Sequence, residues 1–288
     1  MLSAQFQLHA EIEQRHWWFV ARRRILQALV GKLIPPSPLS ASPATVIDVG
    51  CGTGANLAAL AEDYRCVGID TSADAIRLAR QRFPNTHFIQ GRAPDDLGHL
   101  IDDAGVLLMM DVLEHVGDDF SLFSSVAAAL PPGAFFLITV PADLRLWTGH
   151  DESFGHYRRY DARRLAKVWE GLPIEPILLS HFNSRLYPLI RGVRAMNRWR
   201  GPDRVAGKSG TDFAIPIAPV NRMLENIFAG EARAMCRAIA TGRSAYRHGV
   251  SLMAILRRKP GQIDIREKPD SLAPDYFDPA ARALSATA

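Results

Sequence analysis

Two regimes of hydrophobic patterning divide the chain. Over the first ~30 residues Ile12, Phe19, Ile25, Leu26, Leu29 and Leu33 recur near helical spacing, which predicts one amphipathic helix. Pro35, Pro36, Pro38 and Pro43 end it, so residues 35–44 read as a linker. From Ala44 the pattern changes to short apolar runs rich in β-branched residues, each suited to a strand buried on both faces. These runs are ATVIDVG (44–50), RCVGIDTS (65–72), THFIQGRA (86–93), AGVLLMMDVLEH (104–115) and PPGAFFLITVPA (131–142), the last a turn leading into a strand. Helical patterns separate most of them, at residues 51–64, 73–83 and 118–130. Strands alternating with helices predict βαβ units and a parallel sheet. Beyond Pro141 the alternation loosens to a helix at 161–172, a sixth strand at 173–182 and a seventh at 249–259.

These boundaries predict an N-terminal helix and linker over residues 1–43, and an α/β core over 44–181. A helical insertion or lid follows over 182–247, then the last core strand over 248–258. Pro260, Pro269, Pro274 and Pro279 leave the tail, 259–288, extended or poorly ordered.

Composition narrows the class. With 48% hydrophobic and 22% charged residues the chain matches soluble globular proteins, which excludes a wholly disordered or fibrous protein. No apolar run approaches the ~18 residues of a membrane span, and the N-terminus lacks the apolar core of a secretory leader. Cys51, Cys66 and Cys236 are scattered, odd in number and without CxxC spacing. They predict neither a disulfide framework nor a zinc site, and a reducing cytoplasmic compartment.

Charge is uneven. Between His181 and Pro260 there are 15 Lys and Arg against 4 Asp and Glu, a net of +11, whereas the remainder is net −7. The basic third suits an anionic lipid surface, a phosphorylated substrate or a solvated helical face. It contains no nucleic-acid module signature, so no nucleic-acid partner is expected.

The most informative stretch is VIDVGCGTG. Gly50, Gly52 and Gly54 follow a strand and open a helix, where glycine lets the backbone turn tightly and approach a ligand. Gly50-x-Gly52-x-x-Ala55 also satisfies the dinucleotide fingerprint, with Asp70 as the ribose acid, so a nicotinamide oxidoreductase stays open. Asp48 argues against a pyrophosphate, because two like charges in a partly desolvated cleft repel. It suits a ligand with a cationic end.

VIDVGCGTG, VGIDTS and MMDVLEHVGD, in this order, resemble the class I S-adenosylmethionine-dependent methyltransferases over roughly residues 44–181. The resemblance implies a Rossmann-like sheet of seven strands, the last antiparallel, with helices on both faces. It implies that Asp48, Gly50, Gly52 and Gly54 cradle the methionine half of S-adenosylmethionine. Asp70, with Thr71 beside it, would take the ribose hydroxyls, and Asp111 would lie beside the sulfonium and amino end. The family usually places an acid near the adenine after the third strand; here Arg92 and Ala93 stand there. HWWFVARRRIL, LWTGHDESFGHYRRYD and RHGVSLMAILRR resemble a narrower bacterial group and extend the likeness over residues 5–258.

His156 and His115 are candidate acid–base residues. Trp17, Arg158, Arg159 and Tyr160 are candidate acceptor contacts, the arginines as clamps on a phosphate or carboxylate. One of Arg22, Arg23 and Arg24 could meet the methionine carboxylate. Asp111, Glu114 and His115 form a D-x-x-E-H cluster to which His156 could add a fourth metal ligand, as in small-RNA 2′-O-methyltransferases with a related cluster. Metal-free relatives carry a similar LEH run, and the expectation is no metal. The sequence therefore predicts methyl transfer to an O, N or C atom of a small-molecule or lipid/glycan-linked acceptor, with peripheral contact to an anionic membrane as a further option. A non-catalytic cofactor-binding scaffold is the remaining alternative, and the oligomeric state is not legible.

Overall fold

β1 (Thr45–Val49) is buried along its whole length and sits inside a seven-stranded sheet. The computed structural model describes residues 3–36, 43–199, 214–272 and 274–278. β1 pairs in parallel with β2 (Arg65–Asp70) on one side and β4 (Ala104–Met110) on the other. β3 (His87–Gln90) extends the sheet beyond β2, and β5 (Phe135–Pro141) beyond β4, both in parallel. β6 (Ile174–Phe182) lies at the edge, and β7 (Ser251–Arg258) inserts antiparallel between β5 and β6. The order β3-β2-β1-β4-β5-β7-β6 has the seven strands and the antiparallel last strand expected from the resemblance.

Successive side chains of a strand point to opposite faces, so each central strand feeds two cores. Ile47, Val67, Leu107, Met109, Phe136 and Ile138 pack with Phe120, Phe123 and Val126 of α5 (Asp119–Ala129). Val46, Cys66, Val106, Leu108 and Leu137 pack on the other face with α2 (Trp17–Leu33). α2 presents Ile25, Leu26, Leu29 and Val30, all buried, at helical spacing. α3 (Ala55–Ala58) and α4 (Ala73–Arg82) complete that layer through Leu57, Ile76 and Ala79.

The single N-terminal helix expected from periodicity is two. α1 (Ser3–Ile12) stops, and α2 begins only at Trp17. His16 has an extended backbone (φ −73°, ψ 131°), and its ring Nδ1 accepts the Trp18 amide at 3.3 Å as an N-cap. Hydrophobic periodicity runs through such a break, because the cap is polar and local.

After β5 come two short helices, α6 (Gly149–Ser153) and α7 (Ala162–Ala166). The region between β6 and β7 contains α8 (Tyr187–Trp199), α9 (Ala218–Ala229) and α10 (Ala232–Thr241). α9 docks on the start of α2: the Asn221 side chain accepts the Trp17 amide at 3.0 Å and donates to the Arg15 carbonyl at 2.8 Å. Residues 200–213 of the expected insertion, 37–42 of the linker and 279–288 of the tail lie outside the described residues.

The described part of the tail is extended and attached to the core. Ile263 is buried, the Arg266 amide donates to Ser124 Oγ at 2.9 Å, and the Lys268 amide donates to Asp118 Oδ1 at 3.0 Å. Among the described residues no helix is long and apolar enough to cross a membrane.

Candidate functional site

The C-terminal ends of β1, β2 and β4 open into a cavity of about 1310 Å³, roofed by α1, α2 and α8. Ligands in open α/β sheets sit at this end, where the strand order reverses. The three glycines after β1 serve it differently. Gly50 has φ 72°, and a Cβ there would stand 2.7 Å from Val112. Gly54, at φ 86°, would push a Cβ to 2.6 Å from Phe88, so it serves packing and does not line the cavity. Gly52, at φ 54°, has nothing within 4 Å of a built Cβ and faces open space.

Asp70 ends β2 with its carboxylate held from both sides. Oδ2 accepts the Gly52 amide at 2.9 Å and Oδ1 accepts the Ser72 amide at 2.8 Å. Each oxygen keeps a further lone pair for a hydroxyl donor. Thr71, Arg92 and Ala93 also line the cavity, and so does Asp95, an acid three residues past Arg92 that the sequence reading passed over. Asp111 has φ 58°; its side chain accepts from Thr139 Oγ1 at 3.1 Å and pairs with Arg22. The Arg22–Asp111 pair fastens the roof helix α2 to the end of β4, and the Arg22 guanidinium lies 4.7 Å from the Trp18 ring centroid.

Asp48 is a correction. Its side chain does not line the cavity but lies beneath the loop, fully buried, with neither oxygen partnered among the described residues. Burial pushes its carboxyl up to about 8, with Arg22 opposing. The sequence places Asp48 at the strand's end, but a strand residue can point either way.

Arg158 and Tyr160 are also corrections. Neither lines the cavity. Arg158 donates to the carbonyls of Leu113, Val116 and Gly117 at 3.1, 2.7 and 2.8 Å and pairs with Asp275. Tyr160 donates its buried hydroxyl to Asp119 at 2.8 Å. Both brace the wall. Arg159 does reach the cavity, with its guanidinium engaged by Asp151 at 2.8 Å and the Ala142 carbonyl at 3.0 Å. Trp17 lines the cavity and also packs edge-on against Phe228.

Glu114, His115 and His156 meet on the opposite wall. A 3-10 turn, Leu113–His115, carries the first two, and a ligand atom from each of the three lies within 4.8 Å of the others. His156 Nδ1 is 3.0 Å from Asp151 Oδ1, so it donates there and leaves Nε2 with the lone pair. Burial, reinforced by His156, holds the His115 imidazole down at about 4. Burial, reinforced by Asp111, pushes the Glu114 carboxyl well above the usual range.

Other lining residues carried no sequence signal. Glu13, between the two roof helices, accepts Thr53 Oγ1 at 2.6 Å and pairs with Arg82, which ties the roof to the glycine loop. Asn183 follows β6 at φ 53°, buried, with both side-chain polar atoms unpartnered among the described residues and facing the cavity. Asparagine tolerates that conformation, which is the one hint it offers.

Comparison with known proteins agrees with this geometry. Residues 18–172, more than half of the chain, match the family model described as a methyltransferase domain. A trans-aconitate 2-methyltransferase of Afipia carboxidovorans is 33% identical over 104 residues, covering 34% of this chain and 39% of the relative. One of Paracidovorax citrulli is 35% identical over 123 residues, covering 38% and 43%. The matches thus span about two-fifths of the length of these relatives. Among solved structures, a methyltransferase in complex with the Haloferax volcanii Trm112 methyltransferase activator aligns over 91% of this chain and 97% of its own. Its TM-score is 0.53 at 18% identity. The [4+2]-cyclase SpnF aligns over 83% and 82% with TM-score 0.50 at 16% identity, a likeness of fold alone. The sheet order, the cavity at its carboxyl end and the family match place this chain in the methyltransferase-domain family, of the class I S-adenosylmethionine-dependent type.

Proposed function

We propose that the protein transfers a methyl group from S-adenosylmethionine to a small-molecule acceptor. The observation that carries this is the convergence of Gly52, Asp70 and Asp111 on one cavity, with Asp70 already oriented by two backbone amides. The residues fit the cofactor. Gly52 leaves room where a side chain would intrude, and Asp70 has lone pairs for the ribose hydroxyls. Arg22, which lines the cavity, is the candidate partner for the methionine carboxylate. Asp95 offers an acceptor to the adenine amine. The cofactor supplies a methyl already activated on sulfonium. The chain's part is alignment and exclusion of water, which α1, α2 and α8 accomplish as a roof. His156 presents a nitrogen lone pair at the acceptor end, and Asn183 an unpartnered amide.

For the acceptor we favour a molecule with an apolar portion, including a lipid- or glycan-linked one. Ile190 and Val193 of α8 line the cavity mouth, and Leu189 beside them is 59% exposed. Exposed Arg191 on the same helix suits an anionic group or membrane surface nearby. The short matched share of the aconitate enzymes supports the methyltransferase domain more than their acceptor.

Calorimetry with S-adenosylhomocysteine tests the reading. Asp70→Ala should leave the fold intact and weaken binding by about one to two decades, the loss of ~1.5–3 kcal/mol for hydrogen bonds to a charged group. Binding of NADH instead, or unchanged affinity in the variant, would refute it.

A further inference from the structure

We propose that Glu114, His115 and His156 bind a divalent transition-metal ion at the acceptor end of the cavity. Four observations carry this proposal, against the sequence expectation of no metal.

The first is the donor set. One carboxylate oxygen and two imidazole nitrogens lie within 4.8 Å of one another, close enough to share an ion. The second is the state of Glu114. It is wholly buried, and neither oxygen has a partner among the described residues. Buried polar atoms without a hydrogen-bond partner are costly, and a buried carboxylate is ordinarily paired or metal-bound. The third is what lies behind the imidazoles. His156 gives Nδ1 to Asp151, itself held by Arg159, and His115 is hydrogen-bonded to the backbone of Phe154. Metal-bound histidines are oriented this way, one nitrogen on a carboxylate or carbonyl and the other on the ion. The rings meet edge to face with centroids 4.7 Å apart, at 82°, rather than stacking flat. The fourth is access, since all three residues line the cavity.

Two imidazoles favour manganese, cobalt or zinc over magnesium, which prefers oxygen donors and its own waters. Three protein ligands leave coordination positions open towards the cavity. An acceptor carrying a hydroxyl or carboxylate oxygen could complete them, and this last point alone rests on the methyl-transfer reading.

The test is a titration of chelator-treated, dialysed protein with Co²⁺, followed by visible absorption, and with Mn²⁺ and Mg²⁺ by calorimetry. One Co²⁺ per chain should bind, tighter than Mg²⁺. Glu114→Gln and His156→Ala should each weaken Co²⁺ by more than about tenfold, and Asp151→Asn, behind the ligand, by about 10–100-fold. The absence of saturable Co²⁺ binding, or equal affinity in all variants, overturns the site. If a variant fails to fold, Mn²⁺-soaked wild-type crystals decide: an anomalous peak among the three side chains supports the site, and a peak elsewhere or none overturns it. S-adenosylhomocysteine affinity, measured separately, tests the methyltransferase reading, so either can fail alone.

Discussion

Gly50 and Gly52 differ by two positions and by what surrounds them. At Gly50 a methyl would strike Val112 and hold the left-handed backbone, so Gly50→Ala should cost about 2–4 kcal/mol of stability. At Gly52 a methyl meets nothing, and Gly52→Ala should cost only the backbone strain of about 1–2 kcal/mol. It should nevertheless weaken S-adenosylhomocysteine at least tenfold, because the methyl occupies cofactor space and disturbs the amide on Asp70. Thermal melts and calorimetry on the two variants should therefore separate. Equal melting losses, or undiminished binding in Gly52→Ala, would contradict the assigned roles. The sequence shows three equivalent glycines because their spacing reports only that the backbone must turn. It places Asp70 at the end of a strand, where the cavity lies. It could not tell that Asp48 points beneath the loop, or that Arg158 and Tyr160 face the interior, because side-chain direction depends on the packed neighbours.

At the scale of elements, the roof over the cavity depends on a polar hinge. α1 and α2 meet at His16, whose ring accepts the Trp18 amide and must be unprotonated to do so. Burial lowers the His16 pKa from 6.5 to about 4. A histidine with a depressed folded pKa contributes stability that is complete above the unfolded value. That contribution is lost as pH falls from 6.5 towards 4. Discounted for solvent, the loss is about 1 kcal/mol, or roughly 2–4 °C in melting temperature for a chain of this size. His16→Asn keeps a capping acceptor that does not titrate. The melting temperature of wild type should fall relative to that variant between pH 7 and 4.5, whereas His9 and His115 affect both alike. A constant difference across that range would show that the cap does not titrate. Hydrophobic spacing made the helical layer legible, as alternating apolar runs did the strands. The break, and the hold of α9 on α2 through Asn221, rest on single polar side chains that carry no period.

Across the whole molecule, the C-terminal segment links surfaces that are far apart in sequence. Its prolines leave no periodicity to read, which is why only an extended course was legible. The structure runs it along α5 and back to the cavity wall, where the Phe277 amide donates to the Tyr157 carbonyl at 3.1 Å. Tyr157 in turn donates its amide to the Glu114 carbonyl at 2.8 Å. Asp275 neutralises Arg158, whose side chain is 5% exposed and holds three carbonyls around the Leu113–His115 turn. Lys268 joins the same carboxylate at 2.7 Å. The tail thus supports, from behind, the turn that presents Glu114 and His115 to the cavity. Asp275→Asn removes the carboxylate that Arg158 engages most closely and leaves Asp119, 3.7 Å away, as its remaining counter-charge. Breaking a fully buried pair costs about 3–5 kcal/mol, and the 16% exposure of Asp275 together with the retained Asp119 reduces the loss to about 2 kcal/mol. The melting temperature should fall by roughly 4–8 °C. S-adenosylhomocysteine affinity should fall less than Co²⁺ affinity, because Gly52 and Asp70 follow β1 and β2 whereas the turn follows β4. Co²⁺ affinity should fall with the loosened turn. An unchanged melting temperature would show that the tail lies on the surface without supporting it.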